Sequence, residues 1–118
     1  MIRGIRGAIT VTSNEESEII LGAERLLKEM IASNEIAPDD VASIFISVTD
    51  DVDAAFPAKA LRNLDGWTLV PIMCMKELAV TGSLPMCIRV MIHFNTEKKQ
   101  DEIRHIYLEG AAGLRPDL

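Results

Sequence analysis

The sequence predicts an α+β fold, a mixed β-sheet with helices packed on one face. Three observations predict it. One stretch repeats apolar residues at helical spacing, several others alternate them with period two, and the order runs strand, long helix, strand, short helix, strands. At 118 residues the chain matches the commonest domain size, so a single domain over 1–118 with one core is expected.

Residues 2–11 read as a strand, with Ile5, Gly7, Ile9 and Val11 on one face and Arg6, Ala8 and Thr10 on the other. Ser13 followed by Glu16 is a capping-box signature, after which Ile19, Ile20, Ala23, Leu26, Leu27, Met30 and Ile31 form the apolar stripe of a helix. Its opposite face, with Glu18, Glu24, Arg25, Lys28 and Glu29, is a solvated surface of mixed charge. Asn34 and the segment 37–40 interrupt the pattern, and Pro38 is placed to start one helical turn. Over 43–49, Ile44, Ile46 and Val48 alternate with Ser43, Phe45, Ser47 and Thr49 in a second strand, which Asp50, Asp51 and Asp53 end.

Pro57 opens a short second helix over 58–64, with Gly66 just past its end. Residues 68–75 are apolar and extended, but Pro71 has no N–H for a central ladder, which assigns the piece to an edge or to irregular structure. After a turn at Gly82 and Pro85, residues 88–94 form the clearest strand, Ile88, Val90, Ile92 and Phe94 alternating with Arg89, Met91 and His93. Residues 100–102 read as a loop or helical turn, 103–109 as a last short strand carrying Tyr107, and 110–118 as an irregular tail.

The net charge of -6 opposes non-specific binding to nucleic acid or anionic membrane, since both require a dense basic face. No apolar run reaches the length of a membrane span. Two cysteines, Cys74 and Cys87, and the absence of a secretory signal point to the reducing cytoplasm. Met73, Cys74 and Met75 alternate faces on an extended chain and so cannot all meet one soft metal ion. His93 and His105 lack zinc-pair spacing, which leaves them structural or exposed, and no metal or cofactor is expected. No phosphate loop, dinucleotide fingerprint or serine elbow is present. Seven of the basic residues are arginine, whose planar fork matches carboxylates. If the strands bearing Arg6, Arg89 and Tyr107 are neighbours, two guanidinium groups and a phenol converge on a carboxylate-bearing ligand.

Five motifs occur together: Arg6-Gly7-Ala8, Phe56-Pro57-Ala58-Lys59-Ala60, Cys74-Met75-Lys76-Glu77, Cys87-Ile88-Arg89-Val90-Met91 and Leu114-Arg115-Pro116-Asp117. In this order the chain resembles the monofunctional trimeric bacterial chorismate mutases over essentially its whole length. The resemblance implies a homotrimer with a barrel-like core and sites at the subunit clefts, where chorismate rearranges to prephenate without covalent intermediate or cofactor. It also implies roles. Arg89 matches the arginine that hydrogen-bonds the ether oxygen as charge develops there, which is catalysis by preorganised charge. Arg6 and Tyr107 match the residues that hold the enolpyruvyl carboxylate. Glu77 and the segment around Cys74, including Met75 and Lys76, match those that bind the ring hydroxyl, and Arg89, Arg6 and Glu77 form the catalytic set. Phe56, Ala58, Lys59 and Leu114 match the wall supplied by the adjacent subunit, and Lys59, Arg62 and Arg115 balance the ring carboxylate. Met73 stands where relatives often carry a smaller or hydroxylic residue. Two other readings compete: a trimer of the imine-deaminase type, which also binds carboxylates through a cleft arginine, and a non-catalytic chorismate-binding regulator.

Overall fold

The computed structural model describes residues 1–114. Five strands, β1 (Ile2–Thr10), β2 (Val41–Val48), β3 (Ile72–Lys76), β4 (Cys87–Asn95) and β5 (Ile106–Leu108), form one sheet in the order β3-β2-β4-β1-β5. The central β4 is antiparallel to both neighbours, whereas the edge strands run parallel to theirs, β3 to β2 and β5 to β1. Pro71 immediately precedes the edge strand β3, and its carbonyl accepts the Ile44 N–H, a bond that needs no proline donor.

The α-helix α1 (Glu16–Asn34) lies across one sheet face. Its residues Ile19, Ala23, Leu26, Leu27 and Met30 share a buried cluster with Ile5, Ile44, Ile46, Ile88 and Ile92 from the strands. Burying each such aliphatic side chain contributes roughly 1.5–3 kcal/mol, which is what holds the helix on the sheet. Gly7 sits where Leu26 and Met30 press onto β1, and a Cβ there would collide with the Met30 sulfur. A 3₁₀ helix (Pro57–Asn63) joins the same layer through Ala60 and Leu61. α1 and the Pro57–Asn63 helix thus occupy one face, and the side chains of Arg6, Phe45, Ser47, Arg89 and Met91 occupy the other, where the 3₁₀ helix of Glu109–Gly113 packs only at one end, through Ala111 against Ala8 and Cys87.

Several local expectations change. α1 begins at Glu16 with Glu15 at its N-cap and no side-chain cap, so Ser13 lies two residues too early to cap it, and Asn14 Oδ1 accepts the Asp53 and Ala54 N–H groups at 2.9 and 3.0 Å. The Ser13–Glu16 capping box is therefore not formed. The second helix is 3₁₀ and not α, closed by i→i+3 bonds such as Leu64 N–H to Leu61 C=O. The last strand contracts from 103–109 to Ile106–Leu108, since side chains and not strand partners take the polar groups before it. The tail starts with a 3₁₀ helix (Glu109–Gly113).

Candidate active site

Arg89 lies near the middle of β4, in register with Ala8 on one side and Ser47 on the other. The entry to that strand is tightly fixed. Cys87 N–H donates to the Thr49 hydroxyl at 3.0 Å, and Met86 N–H donates to both Asp51 carboxylate oxygens at 3.1 and 3.0 Å. Arg89 is thus carried by a strand hydrogen-bonded on both flanks and anchored where it begins. Its Nε lies 3.3 Å from Glu77 Oε2. The same atom is buried without a hydrogen-bond partner among the described residues, so the pair is a charge contact whose donor is unspent. An unmet buried donor is costly, and an acceptor arriving in the cleft removes that cost.

Glu77 follows β3 and turns its carboxylate toward β4. Ser47 Oγ donates to Oε2 at 2.8 Å and the Leu78 N–H donates to Oε1 at 3.1 Å. Burial pushes the carboxyl pKa up, but the Ser47 hydroxyl, the Leu78 amide and the Arg89 charge together outweigh burial and hold it below the usual value of 4.5. Glu77 is a fixed anion at neutral pH. Arg6 stands on β1 and Tyr107 on β5, each facing the same side as Arg89. Arg6, Arg89 and Tyr107 border a cleft of about 260 Å³ with Phe45, Met75 and Met91 as apolar lining. Two guanidinium groups and a phenol over an apolar floor can grip a carboxylate and present a charged donor to an oxygen in a poorly solvated setting.

Cys87 is buried in a small cluster with Ala8 and Ala111. Burial pushes its thiol pKa up, only partly offset by the neighbouring Arg89 charge. Cys74 is likewise raised by burial, opposed by a hydrogen bond with the Ala58 main chain. Both remain thiols at neutral pH, which removes them as nucleophiles.

The sequence-derived residues divide into two groups. Phe56, Lys59, Cys74 and Lys76 border a second cavity of about 440 Å³, and Ala58 and Arg62, again with Phe56, Lys59 and Cys74, border a third of about 470 Å³. Within one chain neither cavity merges with the Arg6–Arg89 cleft, and Met75 borders both the cleft and the second cavity. Glu77 and Cys74, expected to serve one hydroxyl together, therefore stand on different sides of β3. Met73 is 62% exposed, in register with Phe45 on the cleft side of the sheet. Leu114 packs in one chain against the Ala8, Cys87 and Ala111 cluster beside Tyr107. Arg115 lies outside the described residues. Ser47, Phe45 and Met91 were missed as cleft residues, although the alternation of β2 and β4 had already put them on the face of Arg89.

The family model for type I chorismate mutase matches residues 2–118. The chain belongs to this family. The chorismate mutase AroH of Bacillus subtilis is 52% identical over 118 residues, covering all of this chain and 93% of that protein. The chorismate mutase AroH of Thermus thermophilus is 44% identical over 119 residues, with 100% and 97% covered. A solved chorismate mutase from Clostridium thermocellum superposes with a TM-score of 0.89 at 52% identity, covering 92% of this chain and 96% of that one. A type I chorismate mutase is an isomerase, and neither the imine-deaminase reading nor the non-catalytic regulator is favoured. No helix among the described residues is long and apolar enough to cross a membrane.

Proposed function

We propose that this chain converts chorismate to prephenate in aromatic amino-acid biosynthesis, as a cytoplasmic homotrimer that needs no metal, cofactor, nucleic acid or membrane. The observation that carries the proposal is the convergence of Arg6, Arg89 and Tyr107 on an apolar-lined cleft, with Glu77 fixed as an anion beside Arg89. The rearrangement is concerted and intramolecular. The ether C–O bond breaks, a C–C bond forms, and electron pairs shift around one cyclic array, so no proton is lost and no covalent enzyme intermediate arises.

Chorismate is a dianion, and its two carboxylates require cations at two places. Arg6 and Tyr107 hold the enolpyruvyl carboxylate and fold that side chain over the ring, which supplies the reactive geometry. Arg89 donates to the ether oxygen, where negative charge grows as the C–O bond lengthens, and its unspent Nε is well suited to gain a partner only as that happens. Glu77 accepts from the ring hydroxyl and keeps Arg89 in place. The second group of residues serves the neighbouring subunit. Phe56, Ala58, Lys59, Arg62 and Cys74 of one chain, with Met73, Lys76, Leu114 and Arg115, close the cleft of the next and bring Lys59, Arg62 and Arg115 to the ring carboxylate. The separation of Phe56, Ala58, Lys59, Arg62, Cys74 and Lys76 from the cleft within one chain supports this division.

The test is loss of chorismate absorbance with purified protein, together with the mass in solution by sedimentation. The expected result is prephenate formation by a species of three chains. A protein that binds chorismate without turnover sinks the proposal, and full activity as a monomer sinks the shared cleft.

A further inference from the structure

The ladder between β1 and β5 is short, pairing Gly7, Ile9 and the residue between them with Ile106, Leu108 and Tyr107. One step earlier the partner is a side chain: the Arg6 main-chain N–H donates to His105 Nδ1 at 2.9 Å. An imidazole nitrogen that accepts from an N–H carries no proton, so the ring is neutral with its hydrogen on Nε2. The preceding residue is clamped as well. Asn34 Oδ1 accepts the Arg104 N–H and Asn34 Nδ2 donates to the Arg104 C=O, both at 2.9 Å. His105 does not border the cleft, but lies beside a neighbouring cavity with Arg3 and Gln100. It nonetheless ties together the backbone of Arg6 and the residue two before Tyr107, the two groups that meet one end of the ligand.

We propose that His105 is a positioning residue for the mutase reaction: its Nδ1 replaces the missing ladder bond between β1 and β5 and thereby sets the spacing between the Arg6 guanidinium and the Tyr107 phenol. The inference rests on the function proposed above. Because Arg6 and Tyr107 hold the carboxylate already in the folded, bound substrate and keep that contact through the transition state, loosening them weakens binding of the folded conformer and leaves the chemical step from it largely intact.

The experiment compares His105→Asn with His105→Gln in the full chain. Asparagine places an amide oxygen where Nδ1 sits, whereas glutamine reaches to the position of Nε2 and leaves the Arg6 N–H without its acceptor. The expected result is near-normal kinetics for His105→Asn and a KM raised about threefold to tenfold for His105→Gln, the equivalent of one neutral hydrogen bond, with kcat changed less than about twofold. Equal kinetics for the two variants, or a loss confined to kcat, overturns the proposal. A second readout needs no variant: the long-range ¹H–¹⁵N spectrum of the wild-type protein must show His105 as the Nε2–H tautomer at neutral pH, and the Nδ1–H tautomer overturns the proposal even if a variant fails to fold. Wild-type protein without mutase activity would instead sink the underlying function, which the tautomer measurement does not depend on.

Discussion

Replacing Asn34 with leucine tests how the C-terminal end of α1 holds the segment that leads into β5. The residue is 1% exposed and makes three side-chain hydrogen bonds, to the Met30 carbonyl and to both main-chain groups of Arg104. The three are not equal. The Met30 carbonyl belongs to the last turn of the helix and retains its helical bond, so losing the amide there costs about 0.5 kcal/mol. The Arg104 N–H and C=O lose their partner in a part-buried setting, at about 1–1.5 kcal/mol each. Leucine returns a little through apolar burial, which leaves a net loss of about 2–3 kcal/mol. At this chain length that lowers Tm by about 8–12 °C. The assay is thermal unfolding followed by circular dichroism at one fixed protein concentration, because assembly makes Tm concentration-dependent. Asn34→Asp supplies a control with a sign. It keeps the acceptor for Arg104 but turns lone pairs toward two carbonyls, so its carboxyl pKa is raised on folding. The deficit of that variant must therefore grow as pH rises past the ordinary aspartate value and shrink in acid. A Tm within about 2 °C of wild type for Asn34→Leu, or a deficit of Asn34→Asp that grows in acid, would falsify the account.

Three further outcomes follow from the site. Arg89→Lys keeps a charge but loses the buried Nε and the fork, so kcat/KM should fall about 10²–10³-fold with most of the change in kcat, and steady-state kinetics showing a pure KM effect would remove Arg89 from the ether oxygen. Because burial raises both thiols, iodoacetamide should label Cys74 and Cys87 slowly at neutral pH and progressively faster above pH 9, and rapid neutral labelling would contradict their environment. The depressed Glu77 carboxyl contributes stability that is present above its ordinary value of 4.5 and lost as pH falls through the lower folded value. Urea midpoints of wild type and Glu77→Gln should accordingly converge as pH is lowered from 7 to about 3, and a gap that widens in acid would reverse the sign.

The elements that bury one face were readable from the chain, because period two in β4 and period 3.6 in α1 are dictated by which side chains leave water. The same alternation placed Arg6, Arg89 and Tyr107 opposite the core, and Pro71 marked the edge. What escaped were choices settled between distant residues. Nothing near Ser13 says that the helix will start two residues later than its capping pattern, and nothing near Ile103 says that Asn34 and His105 will take over the groups a longer strand would have paired. The α or 3₁₀ character of Pro57–Asn63 rests on whether each N–H meets the carbonyl three or four residues back, a choice that composition does not encode. Motif order marked candidate site residues without showing that one chain would keep Cys74 and Lys59 apart from Arg89.

The position of β1 has a consequence for how the chain acquires its shape. The first strand lies between β4 and β5, so its partners begin some 80 to 100 residues later in the sequence, and during synthesis it leaves the ribosome with neither edge covered. α1 can shield one face of it early, but Arg6 receives no neighbour until nearly the whole chain has been made. Closing so long a loop before any ladder bond rewards it is a slow, non-local event. The cleft is therefore among the last features to form, and a nascent chain arrested before β4 would present an unpaired apolar strand to its surroundings.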